Sequence, residues 1–116
     1  MKRNKRVDFP SEYKAVWMFA FFDLPVKTAE QRKRATRFRN MLRQLGFSQA
    51  QYSVYTQYYG CEANTEKHRK IIRKCVPPEG EVRLLHVTDR QFSLMEVYAG
   101  EIEKEPESRP QQLLLF

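Results

Sequence analysis

One carboxylate stands at the end of the most apolar stretch of the chain, directly before a strongly basic segment. The stretch Ala15–Pro25 reads AVWMFAFFDLP, and Asp23 is its only charged residue. The segment from Lys27 to Arg43 then holds seven basic residues and a single acid, Glu30. Carboxylate oxygens bind hard cations such as Mg²⁺ or Mn²⁺, and a row of basic side chains binds phosphate. The pattern therefore predicts a place where a metal ion and a phosphate meet, with Asp23 as the metal ligand.

A single carboxylate is a weak metal site, and two interpretations of Asp23 follow. If two copies of the chain pair about a two-fold axis that joins the strand ends, two Asp23 side chains face each other across a metal or a phosphate-bound water. In the other interpretation, Asp23 accepts hydrogen bonds from backbone N–H groups of the turn that follows, as aspartates before turns often do.

The basic segment is predicted to be a helix that contacts nucleic acid. Thr28 and Gln31 form a capping box at its start, an apolar stripe runs through Ala35, Phe38, Leu42 and Leu45, and Gly46 ends it. At about 100° per residue, the stripe leaves four basic side chains outward or on its flank. They are Arg32, Lys33, Arg37 and Arg43. A merely solvated helix face usually mixes both signs, so we favour phosphate binding, in agreement with a net charge of +7 and a pI near 9.6.

Composition excludes several other classes. With 116 residues, 41% of them hydrophobic, the chain is sized for one domain with its own core. The sequence has no apolar span long enough to predict a membrane segment. We expect no secretion signal, because Asp8, Pro10, Ser11 and Glu12 precede the first apolar run and no small-residue cleavage site follows it. Cys61 and Cys75 are too few and too far apart for a zinc site or a redox pair, and neither His68 nor His86 has a cysteine at ligand spacing. We expect a reducing, cytoplasmic setting.

The order of predicted elements indicates an α+β fold, a ferredoxin-like βαββαβ sandwich with an additional C-terminal strand. Residues 1–13 are predicted as a basic arm, 14–99 as the domain, and 100–116 as an acidic tail with an apolar end. The expected elements are a strand buried on both faces at Ala15–Phe22, the basic helix, one or two strands in residues 46–60, a helix from Asn64 or Thr65 with Ile71, Ile72, Cys75 and Val76 on its buried side, and strands at Glu81–Val87 and Phe92–Tyr98. Helices on one face leave the other face of the sheet open, and a second copy of the chain is the economical cover.

Two further features carry open alternatives. The first is a group of tyrosines, Tyr52, Tyr55, Tyr58 and Tyr59, which either stack on bases or, as we favour, pack within the sheet. The second is the C-terminal peptide with Gln112, Leu113, Leu115 and Phe116, which resembles the short motif that docks bacterial replication proteins on the sliding clamp. Addition of this peptide as an edge strand is the interpretation we rank first.

The chain resembles a known family, the small ferredoxin-like CRISPR-associated proteins that are numbered second and accompany the spacer-integrating enzyme. The resemblance runs from about Trp17 to Phe92. It rests on the segments WMFAFFDLP, RKRATRFRNML, LGFSQAQYSVY and PPEGEVRLLHVTDRQF, and the last of these is most similar to members from single-effector systems.

The resemblance implies a homodimer in which Asp23 of each chain binds a divalent metal. It further implies a metal-dependent endonuclease that acts on single-stranded RNA or duplex DNA, with Asp23 as the catalytic residue. It also implies a central bridge between two integrase dimers, with DNA held by basic helices. Arg32, Lys33 and Arg37 match basic positions of the family's first helix, and Ser53 matches the serine after its second strand. A scaffold without hydrolysis and a toxin-like messenger RNA interferase on the same fold remain alternatives.

Overall fold

The computed structural model describes residues 14–100 and 102–108, with the backbone alone for 102–104. The predicted arm of residues 1–13 lies outside the described residues. So does the C-terminal peptide with Gln112, Leu113, Leu115 and Phe116. Within the described ranges, no helix has the length and apolar character needed to cross a membrane.

Four antiparallel-paired strands form one sheet in the order β2-β3-β1-β4. The elements are β1 Val16–Asp23, α1 Ala29–Gln44, β2 Ser48–Gln51, β3 Val54–Tyr59, a 3₁₀ turn Glu62–Asn64, α2 Thr65–Cys75 and β4 Glu81–Thr88. Because β1 and β2 both run antiparallel to β3, they run parallel to each other, and α1 is the crossover between them. This arrangement confirms the predicted ferredoxin-like fold with β1 in the middle of the sheet.

The core lies between the two long helices and one face of the sheet. Alternate residues of β1 point into it, which is the two-residue period of a strand. They are Val16, Met18, Ala20 and Phe22. Three residues of α1 and one of α2 pack against them, namely Ala35, Phe38, Leu42 and Ile72. The buried stripe of α1 is the one that the sequence predicts.

Both predicted ends of α1 are confirmed. Thr28 Oγ1 accepts a hydrogen bond from the Gln31 N–H at 3.1 Å, and Gln31 Oε1 accepts one from the Thr28 N–H at the same distance, which completes the capping box. At the other end, Gly46 adopts a φ of +104°, which only glycine enters without strain. The helix therefore stops where the chain turns back toward the sheet.

The segment after Gly46 is a hairpin, so the open question of one strand or two is resolved as two. β2 and β3 meet at a turn formed by Tyr52 and Ser53, and a register irregularity lies between Gln49 and Gln51. The turn is joined to the central strand because the Phe22 N–H donates to the Ser53 carbonyl at 3.1 Å.

Three details of the prediction are wrong. First, β1 is not buried on both faces, since Phe19 and Phe21 on the face away from the helices are half-buried. Second, Cys75 is exposed because α2 ends with it, although Ile72 is buried as expected. Third, Phe92–Tyr98 is not one strand.

The third error has a local cause, a second capping box that starts a helix. Thr88 Oγ1 accepts from the Gln91 N–H at 3.0 Å, Gln91 Oε1 accepts from the Thr88 N–H, and Asp89–Ser93 forms α3. The strand β5 is limited to Val97–Ala99, and it pairs with β6, Ile102–Lys104, in a separate two-stranded sheet. An additional C-terminal strand therefore exists, but it is shorter than predicted and begins later.

Candidate metal and nucleic-acid site

Asp23 is the last residue of β1, and its side chain is exposed. The N–H groups of the following turn are already satisfied by another residue, because Gln31 Oε1 accepts from Lys27 N at 2.8 Å as well as from Thr28 N. Within the described residues, Asp23 accepts no hydrogen bond and makes no ion pair. The interpretation in which Asp23 caps the turn is therefore wrong, and the carboxylate faces solvent.

A second carboxylate, that of Glu81, lies on the strand next to Asp23 and on the same face of the sheet. Residues paired in antiparallel strands place their side chains on the same face, and Asp23 pairs with Glu81 at the start of β4. Glu81 also holds Arg83, whose Nη2 lies 3.0 Å from Glu81 Oε2. The sequence places Glu81 in the right strand, but its position opposite Asp23 depends on a strand register that no local pattern shows.

These residues fit a magnesium or manganese ion that keeps much of its hydration. Among the described residues, no three His, Cys, Asp or Glu side chains come together as a metal cluster. Mg²⁺ is usually held by one or two carboxylates, with waters and substrate phosphates as its other ligands. Asp23 offers one such carboxylate and Glu81, its register partner, offers a second, whereas a dedicated cage of protein ligands is not formed within the described part of one chain.

The basic row on α1 begins next to this strand end. Arg32 Nη1 donates to the carbonyls of Val26 and Lys27, each at 3.2 Å, so its guanidinium is tied to the loop that follows Asp23. Lys33 and Arg37 are exposed on the same stripe. One shallow groove runs along this stripe and is lined by Ala29, Arg32, Lys33, Thr36, Arg37 and Asn40. Three of the four predicted phosphate-binding residues thus lie together.

Arg43 has a different environment. Its Nη2 donates to the Tyr55 hydroxyl at 3.0 Å, its Nη1 donates to Asn40 Oδ1 at 3.0 Å, and its guanidinium carbon lies 5.7 Å from the centre of the Tyr55 ring. Tyr55 is fully buried. The guanidinium of Arg43 is therefore already held by the hairpin, and the sequence pattern could not reveal this because Tyr55 lies twelve positions away.

The four tyrosines differ in how far they are buried. Tyr55 and Tyr59 are buried, and Tyr58 packs edge-on against Trp17 with ring centres 5.4 Å apart, so the packing interpretation is confirmed for these three. Tyr52 is different, since 73% of it is exposed. The guanidinium carbon of Arg39 lies 5.1 Å from the centre of the Tyr52 ring.

A polar cluster joins β3 to α2 on the helix side of the sheet. The Tyr59 hydroxyl lies 2.7 Å from His68 Nδ1, and Gln57 Nε2 donates to the Tyr59 oxygen at 2.8 Å. Burial raises the pKa of Tyr59, and burial together with the charge of Lys67 lowers the pKa of His68. Both groups are therefore neutral near pH 7, and we assign them to packing rather than to the site.

Comparison with known proteins identifies the family. The family described as CRISPR associated protein Cas2 matches residues 16–95. A Flavobacterium psychrophilum protein named CRISPR-associated endoribonuclease Cas2 is 39% identical over 106 residues, and the match covers 91% of this chain and 92% of that one. A protein of the same name from Parvibaculum lavamentivorans is 43% identical over 101 residues, and the match covers 87% of this chain and all of the relative.

Solved structures agree on the fold. A structure described as a crystal structure of Cas2 superposes with a TM-score of 0.56 at 13% identity, and the match covers 84% of this chain and 99% of that one. A hypothetical protein from Thermus thermophilus, TT1823, gives a TM-score of 0.53 at 19% identity, with 80% and 99% covered. At such low identities these structures support the ferredoxin-like arrangement alone. From the match over residues 16–95 and the two similar sequences, we conclude that this chain belongs to the CRISPR-associated protein Cas2 family.

Proposed function

We propose that this protein is a metal-dependent endoribonuclease of CRISPR adaptation, with Asp23 as the residue that holds Mg²⁺ or Mn²⁺. One observation carries the proposal. The Asp23 carboxylate is exposed and unpartnered among the described residues, at the strand end where the basic row of α1 begins. The relatives that are 39% and 43% identical are named endoribonucleases, which supports RNA as the substrate.

In this proposal the acidic residues hold the cation and the basic residues bind phosphate. Asp23 would supply oxygen ligands to the cation, and the carboxylate of Glu81, its register partner on β4, would offer a second acceptor for the cation or its waters. Lys33 and Arg37 bind phosphates of the RNA backbone, while Arg32 fixes the loop that joins Asp23 to α1. A bound divalent cation lowers the pKa of its water and stabilises the charge that develops on a phosphoryl group.

We also propose that the working form is a homodimer built on the open face of the sheet. Phe19 and Phe21 are half-buried on that face and Leu85 is 50% exposed, so neighbouring apolar side chains on it remain in contact with water. Alternation along β1 assigns Asp23 to the same face. A second copy seated there covers the apolar side chains and brings the two carboxylates toward each other. Light-scattering mass tests this, and a monomer of 13.9 kDa at all concentrations refutes it.

The activity is tested on purified protein with single-stranded RNA and with duplex DNA, each with Mg²⁺, with Mn²⁺ and with a chelator. Asp23→Asn keeps the shape of the side chain and removes its charge, so cleavage should fall to the level seen with chelator. Glu66→Gln is the matched control, since it neutralises an exposed carboxylate on α2 that pairs with Lys70 at 3.8 Å. Equal cleavage by wild type and Asp23→Asn would refute the role of Asp23.

A second candidate function is a DNA-binding scaffold that bridges integrase dimers in the cytoplasm without hydrolysis. The groove of Arg32, Lys33 and Arg37 favours it, because basic side chains contact the phosphates of duplex DNA without a metal ion. Spacer acquisition in cells separates the two candidates. If acquisition survives Asp23→Asn and is lost in a Lys33→Ala, Arg37→Ala double variant, the scaffold is the biological role; the reverse pattern identifies the nuclease.

A further inference from the structure

Tyr52 lies at the same end of the sheet as Asp23. The register pairs Phe21 with Val54, and the next step along is the hydrogen bond from the Phe22 N–H to the Ser53 carbonyl. Asp23 and Tyr52 are therefore the following residues on two adjacent segments of chain. Both residues are exposed, and they lie at the same end of the sheet.

The ring of Tyr52 is backed by a cation that is itself anchored in the core. The guanidinium carbon of Arg39 lies 5.1 Å from the centre of the Tyr52 ring and 5.9 Å from that of Phe22. Phe22 is buried, and its ring packs edge-on against Phe38 with centres 5.3 Å apart. Because both contacts lie within the range of cation–π attraction, Arg39 links an exposed turn to the hydrophobic core. The Tyr52 ring is thereby oriented before any ligand binds.

Arg39 occupies this position at a free-energy cost. Its Nε–H is buried and has no hydrogen-bond partner within the described residues. A buried donor without a partner destabilises the folded state, and a large ring left 73% exposed in a turn contributes little burial in return. A ligand that covers the ring would add the burial that the free protein lacks at this pair.

We infer that the exposed face of Tyr52 stacks on a nucleobase of single-stranded RNA whose backbone lies along Asp23 and the basic groove. Stacking on an aromatic side chain is available to every base, so this contact tolerates sequence, but it requires a base that is free of its complementary strand. Tyr52 is then a substrate-positioning residue that favours single strands over duplexes. The inference rests on the proposed function only for the choice of RNA as substrate.

Binding without divalent metal tests the inference apart from cleavage. The probes are a single-stranded RNA that carries 2-aminopurine and an abasic ribose-phosphate strand of the same length. Wild-type protein should bind the RNA about 5-fold or more tighter than the abasic strand, and binding should quench the 2-aminopurine fluorescence. Tyr52→Ala and Tyr52→Leu should lose the preference and the quenching, whereas Tyr52→Phe should keep both. Tyr98→Ala is the matched control, since Tyr98 is 66% exposed and lies on β5.

Salt dependence separates stacking from charge. The Lys33→Ala, Arg37→Ala double variant should show a smaller dependence of affinity on salt and keep the preference for base-containing RNA. Tyr52→Ala should keep the salt dependence of the wild type and lose the preference. A Tyr52→Ala variant that still prefers RNA over the abasic strand, or a wild type without that preference, overturns the inference. The binding test contains no divalent metal and does not depend on cleavage. Failure to cleave RNA in the separate assay with metal would refute the proposed activity but would leave the outcome of the binding test unchanged.

Discussion

Replacement of Phe92 by alanine should show how much stability α3 contributes by covering the Trp17 end of the sheet. It is 3% exposed, and its ring stacks on Trp17 with centres 3.8 Å apart and planes 4° apart. The ring also lies 5.7 Å from that of Phe19. Phe92 is the only buried residue of α3. Because a helix of five residues is too short to persist without tertiary contacts, α3 depends on the packing of this ring.

Phe92→Ala should lower the free energy of unfolding by about 3–5 kcal/mol, the usual loss for a buried phenylalanine. The lower value applies if α3 collapses into the space, and the higher value applies if the cavity persists. A second contact raises the expectation, because the Trp17 Nε1–H donates to Asp89 Oδ1 at 2.9 Å and Asp89 begins the same helix. Since a domain of this size has about 5–15 kcal/mol of stability in total, the change is large enough to measure and small enough to leave a folded population.

Urea denaturation followed by tryptophan fluorescence measures this loss directly, since Trp17 is the single tryptophan of the chain. Emission of the folded Phe92→Ala variant should shift to the red as water reaches the indole. Phe92→Leu is the control and should cost less than Phe92→Ala, because it keeps a larger share of the buried volume. All titrations need one protein concentration, because self-association adds to apparent stability. A loss below about 1 kcal/mol with unchanged emission would show that α3 does not close the sheet, and would refute the reasoning.

Two further predictions concern the cluster of β3 and α2. Because the folded state holds the pKa of His68 below its ordinary value, the unfolded chain binds the proton more readily, so the free energy of unfolding should fall as pH drops through about 6.5 and below. Urea titrations between pH 8 and 5 measure the slope, and a His68→Gln variant that keeps the full slope would contradict the assignment. Gly46→Ala should destabilise by more than about 1 kcal/mol, because it forces alanine to a φ of +104° and its Cβ would meet the Gln57 side chain. Gly60→Ala is the control, since nothing lies near its Cβ, and equal midpoints for the two variants would refute the strain.

Elements fixed by neighbouring residues were predictable from the sequence. The capping box of Thr28 and Gln31, the apolar stripe through Phe38 and the glycine at position 46 each act within a few residues, and the structure confirms all three. The error at Phe92–Tyr98 arose from the same kind of signal. Thr88 and Gln91 form a capping box too, but alternating apolar residues downstream suggested a strand. A local cap took precedence over a weak two-residue period.

The candidate site was predictable in its central residue and not in its surroundings. The end of a buried strand identified Asp23, and helical spacing grouped Arg32, Lys33 and Arg37. Contacts made through the sheet were not visible. Glu81 lies opposite Asp23 because of the register between β1 and β4, which no local sequence pattern predicts.

Tertiary contacts also decided which of several similar residues remain available. Arg43 and Arg39 have the same charge and lie on the same helix, yet one donates to the hydroxyl of Tyr55 and the other lies against the ring of Tyr52. Four tyrosines within eight positions likewise differ in exposure from fully buried to 73%. Sequence spacing alone assigns such residues to a surface but does not say which are already engaged.

The open face of the sheet is asymmetric, and this links the site to association. At the Trp17 end, α3 covers the face through Phe92. At the opposite end, Phe19 and Phe21 remain half-buried, and the strand finishes at Asp23. The chain thus covers more of this face at the end that lies away from the carboxylate. Toward Asp23, Phe19 and Phe21 share a groove with Met95 and Val97 and are only half-buried. In the proposed dimer, burial of that surface and the approach of two Asp23 side chains are one event, so a substitution that prevents association should also remove metal-dependent activity.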